Sequence, residues 1–174
     1  MEIKNIKVGN LETNCYVIVK DSKCLVIDPG DEAHKIESVI GKNKVVGIIV
    51  THYHSDHIGA LEEIKKTYNA NVYDRTNLRE GINTIDNFNF EVLYTPGHRS
   101  DAITIIFKEY HSMFTGDFLF KGSIGRTDLE TGSDLEMQES IDKIKEYSSN
   151  YRVYPGHGDT TTLIDEFNYN PFLR

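Results

Sequence analysis

Seven consecutive residues, Thr51-His52-Tyr53-His54-Ser55-Asp56-His57, constrain this 174-residue chain more than any other stretch, because they hold four strong metal-ligand side chains within six positions. A fold that buried these groups without partners would lose about 1–3 kcal/mol for each one left unsatisfied. The chain must therefore present them to something they can bind. In extended backbone, side chains two positions apart point the same way, so His52 and His54 can grasp one ion together. Asp56 and His57 are adjacent and diverge unless the chain turns, and a turn would let them serve a second ion or a bound water. The apolar run Ile48-Ile49-Val50 before them and a helical pattern after them put the four donors at a strand-to-helix junction. Open α/β sheets hold their ligands at such places. A lone histidine is more often a surface or packing residue, and His34 and His111 are read that way; three histidines and an aspartate in six positions read as a metal site.

Three later segments carry the same chemistry. Thr95-Pro96-Gly97-His98, Thr115-Gly116-Asp117 and Tyr154-Pro155-Gly156-His157 each follow a short β-rich run and end in a ligand-type residue. The glycine directly before each lets the backbone turn tightly or approach an ion. Five histidines and two aspartates exceed the three or four protein ligands that one catalytic zinc accepts. Two ions fit better. The simplest division gives His52, His54 and His98 to the first and Asp56, His57 and His157 to the second, with Asp117 bridging. A hydroxide between ions about 3.5–4 Å apart is a strong nucleophile near neutral pH, which is machinery for hydrolysis.

Bulk properties narrow the rest. The length suits one well-buried domain, and 39% hydrophobic with 26% charged residues is the composition of an ordinary globular protein. A net charge of −8 argues against a nucleic-acid partner, which needs a basic face, and bound divalent ions would offset part of that charge locally. No apolar run is long enough to span a bilayer. Met1-Glu2-Ile3-Lys4 lacks the features of a signal peptide, so a cytoplasmic enzyme acting on a small-molecule substrate is expected. Cys15 and Cys24 match no zinc-binding spacing and read as packed thiols.

Patterning predicts strands over residues 2–8, 13–19 and 23–27 as an antiparallel meander with Asp21-Ser22 as its turn. Asp31 would cap a helix running to about Ile40, with Ala33, Ile36, Val39 and Ile40 on one side. Residues 45–50 read as a strand covered on both faces. A helix then follows the metal motif, with Glu62 and Lys66 as an i,i+4 ion pair. Residues 72–73, 88–94, 102–107, 111–115 and 151–154 read as further strands, with a weakly patterned connection over residues 75–87. Residues 136–147 read as a helix capped by Ser133 or Asp134, and another helical turn or two follows Thr161. Such mixing predicts a layered α/β domain with helices on both outer faces.

The set His-x-His-x-Asp-His with later single His, Asp and His at strand ends resembles the metallo-β-lactamase superfamily. The stretch Asp117-Phe118-Leu119-Phe120-Lys121-Gly122-Ser123-Ile124-Gly125-Arg126-Thr127-Asp128, together with Asn14-Cys15-Tyr16 and Asn170-Pro171-Phe172, is similar to its short glyoxalase II-like members, the hydroxyacylglutathione hydrolases. The resemblance implies a four-layer αββα sandwich with the binuclear site at one edge and Asp28 as an outer partner orienting a histidine ligand. It also implies two divalent ions, zinc expected ahead of iron or manganese. The reaction implied is attack of a metal-bridging hydroxide, oriented by Asp56 and Asp117, on a thioester such as S-lactoylglutathione. Glyoxalase II proper has an added C-terminal helical domain, which the 17 residues after His157 are not expected to hold. Arg126 falls at a lysine of the glutathione pocket and Asp128 at its tyrosine; Arg126 is the expected binder of a substrate carboxylate. The single-iron persulfide dioxygenases and the lactone or ester hydrolases of the same superfamily remain open.

Overall fold

In the computed structural model, which describes residues 1–174, the chain opens with antiparallel strands β1 (Glu2–Val8), β2 (Thr13–Lys20) and β3 (Lys23–Ile27). Asp21 and Ser22 take φ of 51° and 60°, the pair of positive angles that matches a two-residue turn to the twist of its strands. Helix α1 (Ala33–Ile40), strand β4 (Lys44–Ile49), helices α2 (Ser55–Ile58) and α3 (Leu61–Tyr68) and strand β5 (Val72–Tyr73) follow. The last two strands add in parallel, giving a five-stranded sheet ordered β1-β2-β3-β4-β5.

The second half builds a six-stranded sheet from β6 (Gly81–Ile85), β7 (Phe88–Tyr94), β8 (Ile103–Phe107), β9 (Ser112–Gly116) and, after a small hairpin of β10 (Leu119–Phe120) and β11 (Ser123–Ile124), the later strands. Helix α4 (Asp134–Lys145) precedes β12 (Arg152–Pro155) and β13 (Thr161–Thr162), and α5 (Leu163–Tyr169) closes the fold. The order is β13-β12-β9-β8-β7-β6, with only β12 and β9 parallel.

Period-two alternation sorts the core into layers. On β2, Tyr16 and Ile18 face the other sheet while Cys15 and Val17 face α1 and α3; on β3, Leu25 and Ile27 face in and Cys24 and Val26 face out. The second sheet answers with Phe90, Val92, Ile103, Ile105, Phe107 and Phe114 on its inner face. Its outer face packs Ile106, Met113 and Val153 against Met137, Ile141 and Ile144 of α4. Helix, sheet, sheet and helix stack in that order, the αββα arrangement. Both cysteines are buried and unpaired, and burial pushes their thiols up, Cys24 to about 11.

Four local expectations fail. Residues 75–87 hold β6, an edge strand paired along β7; its Ile82 is exposed, so the apolar pattern that announces a strand is diluted. Asp31 does not cap α1. Glu32 occupies that position in a left-handed conformation and its carboxylate accepts the Gly9 N–H at 3.0 Å instead. The helix after the metal motif is broken in two, because the Ala60 N–H turns to the Pro29 carbonyl at 3.0 Å and docks the chain onto the turn that ends β3. Finally, Glu62 pairs with Lys65 at 3.4 Å rather than with Lys66.

Phe114 joins the layers at the site's edge, stacked on Tyr154 with centroids 4.9 Å apart and meeting Tyr16 edge-on at 5.1 Å. Phe114→Ala should lower the unfolding free energy by about 3–5 kcal/mol in urea denaturation. Ile82→Ala, on the exposed edge, should change it by no more than about 0.5 kcal/mol.

Candidate metal centre

The loops that follow β4, β7, β9 and β12 all open on one rim, and each delivers a donor. His52 and His54 follow the end of β4, His54 in extended backbone at φ −78° and ψ 146°. Helix α2 then turns the chain within one residue, so Asp56 and His57 swing to the same side, their Oδ2 and Nε2 atoms 3.5 Å apart. From the second sheet come His98 after β7, Asp117 after β9 and His157 after β12. His52, His57, His98 and Asp117 are buried.

The donor atoms form three groups: His52, His54, His98 and Asp117; Asp56, His57 and His157; and, behind them, Asp28 with His52 and His57, where Asp28 supports the rings. In the first, the His54 Nδ1 lies 3.2 Å from His52 Nε2 and 2.9 Å from His98 Nε2. Asp117 Oδ2 stands 3.9 and 3.6 Å from the same two Nε2 atoms. In the second, His157 Nε2 is 3.1 Å from Asp56 Oδ2 and 3.4 Å from Asp117 Oδ2, while Asp117 Oδ1 is 3.3 Å from His57 Nε2. Asp117 touches both of these groups.

Four imidazoles are held by their other nitrogen. The His98 Nδ1–H donates to the Arg126 carbonyl at 2.8 Å and the His157 Nδ1–H to the Leu11 carbonyl at 3.1 Å. The His57 Nδ1–H donates to Asp28 Oδ2 at 2.9 Å. Thr51 relays the same carboxylate to His52: its hydroxyl donates to Asp28 Oδ2 at 2.6 Å and can accept from His52 Nδ1 at 3.1 Å. Each bond fixes the tautomer that leaves Nε2 as a lone pair aimed into the cluster. Asp28 reaches them from a left-handed conformation at φ 51° and also accepts the Thr51 N–H at 2.8 Å.

Converging lone pairs repel unless a cation lies among them. The buried His57 Nε2 and Asp117 Oδ1 find no hydrogen-bond partner. These two orphans, with three donors in each group and a shared carboxylate, fit a pair of divalent ions. Protonation tells the same story. Burial opposes charge on His57 and His157, but Asp28 and Asp117 raise the former to about 10 and Asp117 and Asp56 raise the latter to about 9. Burial likewise opposes charge on Asp117, yet His157 and His57 hold it well below the usual carboxylate range. His52 moves the other way, pushed down by burial and the neighbouring His57; His54 is lowered by burial, His98 and Arg99. The carboxylates of the second group thus favour positive charge between them and the two imidazoles.

Sequence reasoning missed several supports. Thr13 donates to Asp56 Oδ2 at 2.9 Å, and Thr51 links His52 to Asp28; a hydroxyl beside the ligand motif is the only signal for Thr51, and Thr13, 43 positions before Asp56, offers none. Leu11 and Arg126 act through backbone carbonyls, which no residue type announces. The Arg126 guanidinium forks onto exposed Asp128 at 2.7 Å through both nitrogens. His34 and His111 lie apart from the cluster, His111 edge-on to Tyr151.

Glycine is required where the second sheet's loops press on the site. A Cβ on Gly156 would collide with Asp117 Oδ1 and stand 2.7 Å from His57 Cε1; on Gly97, at φ 135°, it would strike the Met137 backbone. Gly156→Ala should therefore cut zinc retention by about tenfold or more, the range for disturbed ligand supports, as read by metal analysis after dialysis. Neutral imidazoles bind metal and protonated ones do not, so affinity must fall as pH falls, with His57 and His157 reprotonating first. Metal retention after dialysis should decline as pH is lowered through about 10 and about 9, the values of His57 and His157, and be least in acid.

Comparison with known proteins gives the family and the fold. Residues 8–79 and 74–157 match the model of the metallo-beta-lactamase superfamily. The hydroxyacylglutathione hydrolase GloC of Haemophilus influenzae is 33% identical, over 100% of this chain and 99% of its own. The crystal structure of the BLEG-1 B3 metallo-beta-lactamase superposes with a TM-score of 0.95 at 31% identity, covering 99% of both chains. The di-iron form of TTHA1623 superposes at 0.90 with 29% identity, covering 98% of this chain and 100% of that one.

Proposed function

This chain belongs to the metallo-beta-lactamase superfamily of metallo-hydrolases, and within it we propose a binuclear thioesterase that hydrolyses S-lactoylglutathione or a related small acyl thioester. The observation that carries the reading is the buried Asp117 carboxylate shared by two groups of three donors. His52, His54 and His98 would hold one divalent ion, Asp56, His57 and His157 the other, and Asp117 both. Bound there, the ions would supply a hydroxide nucleophile at neutral pH and Lewis-acid polarisation of the carbonyl.

The chain's own groups do the rest. Asp56 and Asp117, both held ionised, accept hydrogen bonds from the attacking water and orient it. Asp28 and the Leu11 and Arg126 carbonyls keep the imidazoles from turning. Beside His98, a cavity of about 350 Å³ is lined by Ile124, Gly125, Arg126, Met137 and Ile141. Arg126 is the one cation of a lining that also holds Asp134, and the apolar floor with that guanidinium suits an acyl thioester with a carboxylate tail, which would take Arg126 from Asp128 by bidentate pairing. The similarity to GloC supports the thioester class, and TTHA1623 supports iron as an alternative to zinc in such a site.

The test is a substrate panel of S-lactoylglutathione, a short acyl-thioester, a lactone and a β-lactam, run on protein as purified, stripped of metal and reloaded. Thioester turnover should disappear on stripping, return on reloading with zinc or iron, and fall by at least about a hundredfold in Asp117→Ala. Unchanged turnover after stripping would overturn the metal mechanism. Oxygen uptake with glutathione persulfide and one iron per chain would replace the thioesterase with the dioxygenase reaction.

A further inference from the structure

Of the five histidines in the centre, His54 alone has no orienting hydrogen bond on its remote nitrogen: it meets His52 and His98 through Nδ1. It is also the least buried donor of its group. What fixes it must act through the backbone beside it. The Tyr53 N–H donates to Asp101 Oδ2 at 3.1 Å. Asp101 is in turn gripped by Arg99, whose Nε donates to Oδ1 at 2.8 Å and whose second nitrogen reaches Oδ2 at 3.4 Å.

Arg99 follows His98 directly, so this short chain of bonds ties the backbone carrying His54 to the loop carrying His98. A backbone bond from the Ile103 N–H to the Thr51 carbonyl at 3.0 Å closes the other side of the same frame. The carboxylate is only partly exposed, at 24% of its side chain, as is Arg99 at 22%. An ion pair so placed has little to offer stability, but a carboxylate that accepts a backbone N–H between two ligands sets a distance.

We propose that Asp101, braced by Arg99, is a positioning residue for the first metal ion: it sets the approach of His54 to His98 by holding the Tyr53 backbone against the His98 loop. The inference rests on the two-ion reading. It adds that the first site owes one of its ligands to an anchor outside the donor set, and that this anchor leaves the second site alone, because Asp56, His57 and His157 take their supports from Thr13, Asp28 and Leu11.

The experiment measures stepwise zinc affinity of the full chain by competition with a chromophoric chelator, and the ligand-field spectrum after loading with cobalt(II). His54→Ala and His157→Ala assign the two steps. Asp101→Ala should weaken the His54-dependent step by about 10–100-fold and alter its cobalt band, leaving the His157-dependent step unchanged. Asp101→Asn keeps an acceptor for the Tyr53 N–H and should restore part of the loss. Equal affinities in Asp101→Ala and the parent, equal loss at both steps, or no recovery in Asp101→Asn would each overturn the proposal. If His54→Ala itself left both steps intact, the two-ion assignment would fall instead, and the two failures are thereby told apart.

Discussion

A carboxylate buried between two groups of imidazoles is the constraint that the rest of the molecule serves. Asp117 lies within 4 Å of His52, His57, His98 and His157, and an ionised aspartate that deep is tolerable only among compensating charges. Strand β9 brings it there through a glycine at φ 50°, and the loops after β7 and β12 close over it from either side. The hydrogen bonds that hold the surrounding rings face outward, to Thr51, Asp28, Leu11 and Arg126, so all remaining coordinating capacity faces inward. The arrangement therefore specifies a cation more strongly than it specifies any substrate.

Much of this was legible in the sequence for a chemical reason. Metal binding needs His and Asp at strand ends, and those types are conspicuous when they follow Pro-Gly or crowd into six positions. The layering was legible too, since strands and helices mix along the whole chain and such elements bury their apolar faces in layers. What escaped was whatever lacks a side-chain signature. The carbonyls of Leu11 and Arg126 could belong to any residue. Asp101 carries no signal, because nothing local says that its carboxylate meets a backbone N–H 48 positions earlier. Edge strand β6 was missed because its outward side chains, Ile82 among them, carry little of the burial that makes a strand visible. Arg126 shows the reverse: its type was noticed for a substrate role, while its peptide oxygen does the structural work.

The two sheets are not equal contributors to chemistry. The first supplies a contiguous cassette, four donors and their Thr51 support within seven residues, pinned on the Asp28 turn. The second supplies three single donors, each behind a glycine that allows the backbone close. Variation in the second sheet's loops can thus reshape the approach to the site while the cassette stays fixed, which suits a superfamily whose members hydrolyse different bonds at similar centres.

Because donors are drawn from both sheets, neither group can close until the sheets have met across the Tyr16, Ile105 and Phe114 layer. On the ribosome, the His52 cassette emerges long before its partners, and His157 comes last of the seven. Either donor group is therefore completed only late in the life of a nascent chain, when both sheets are available to meet.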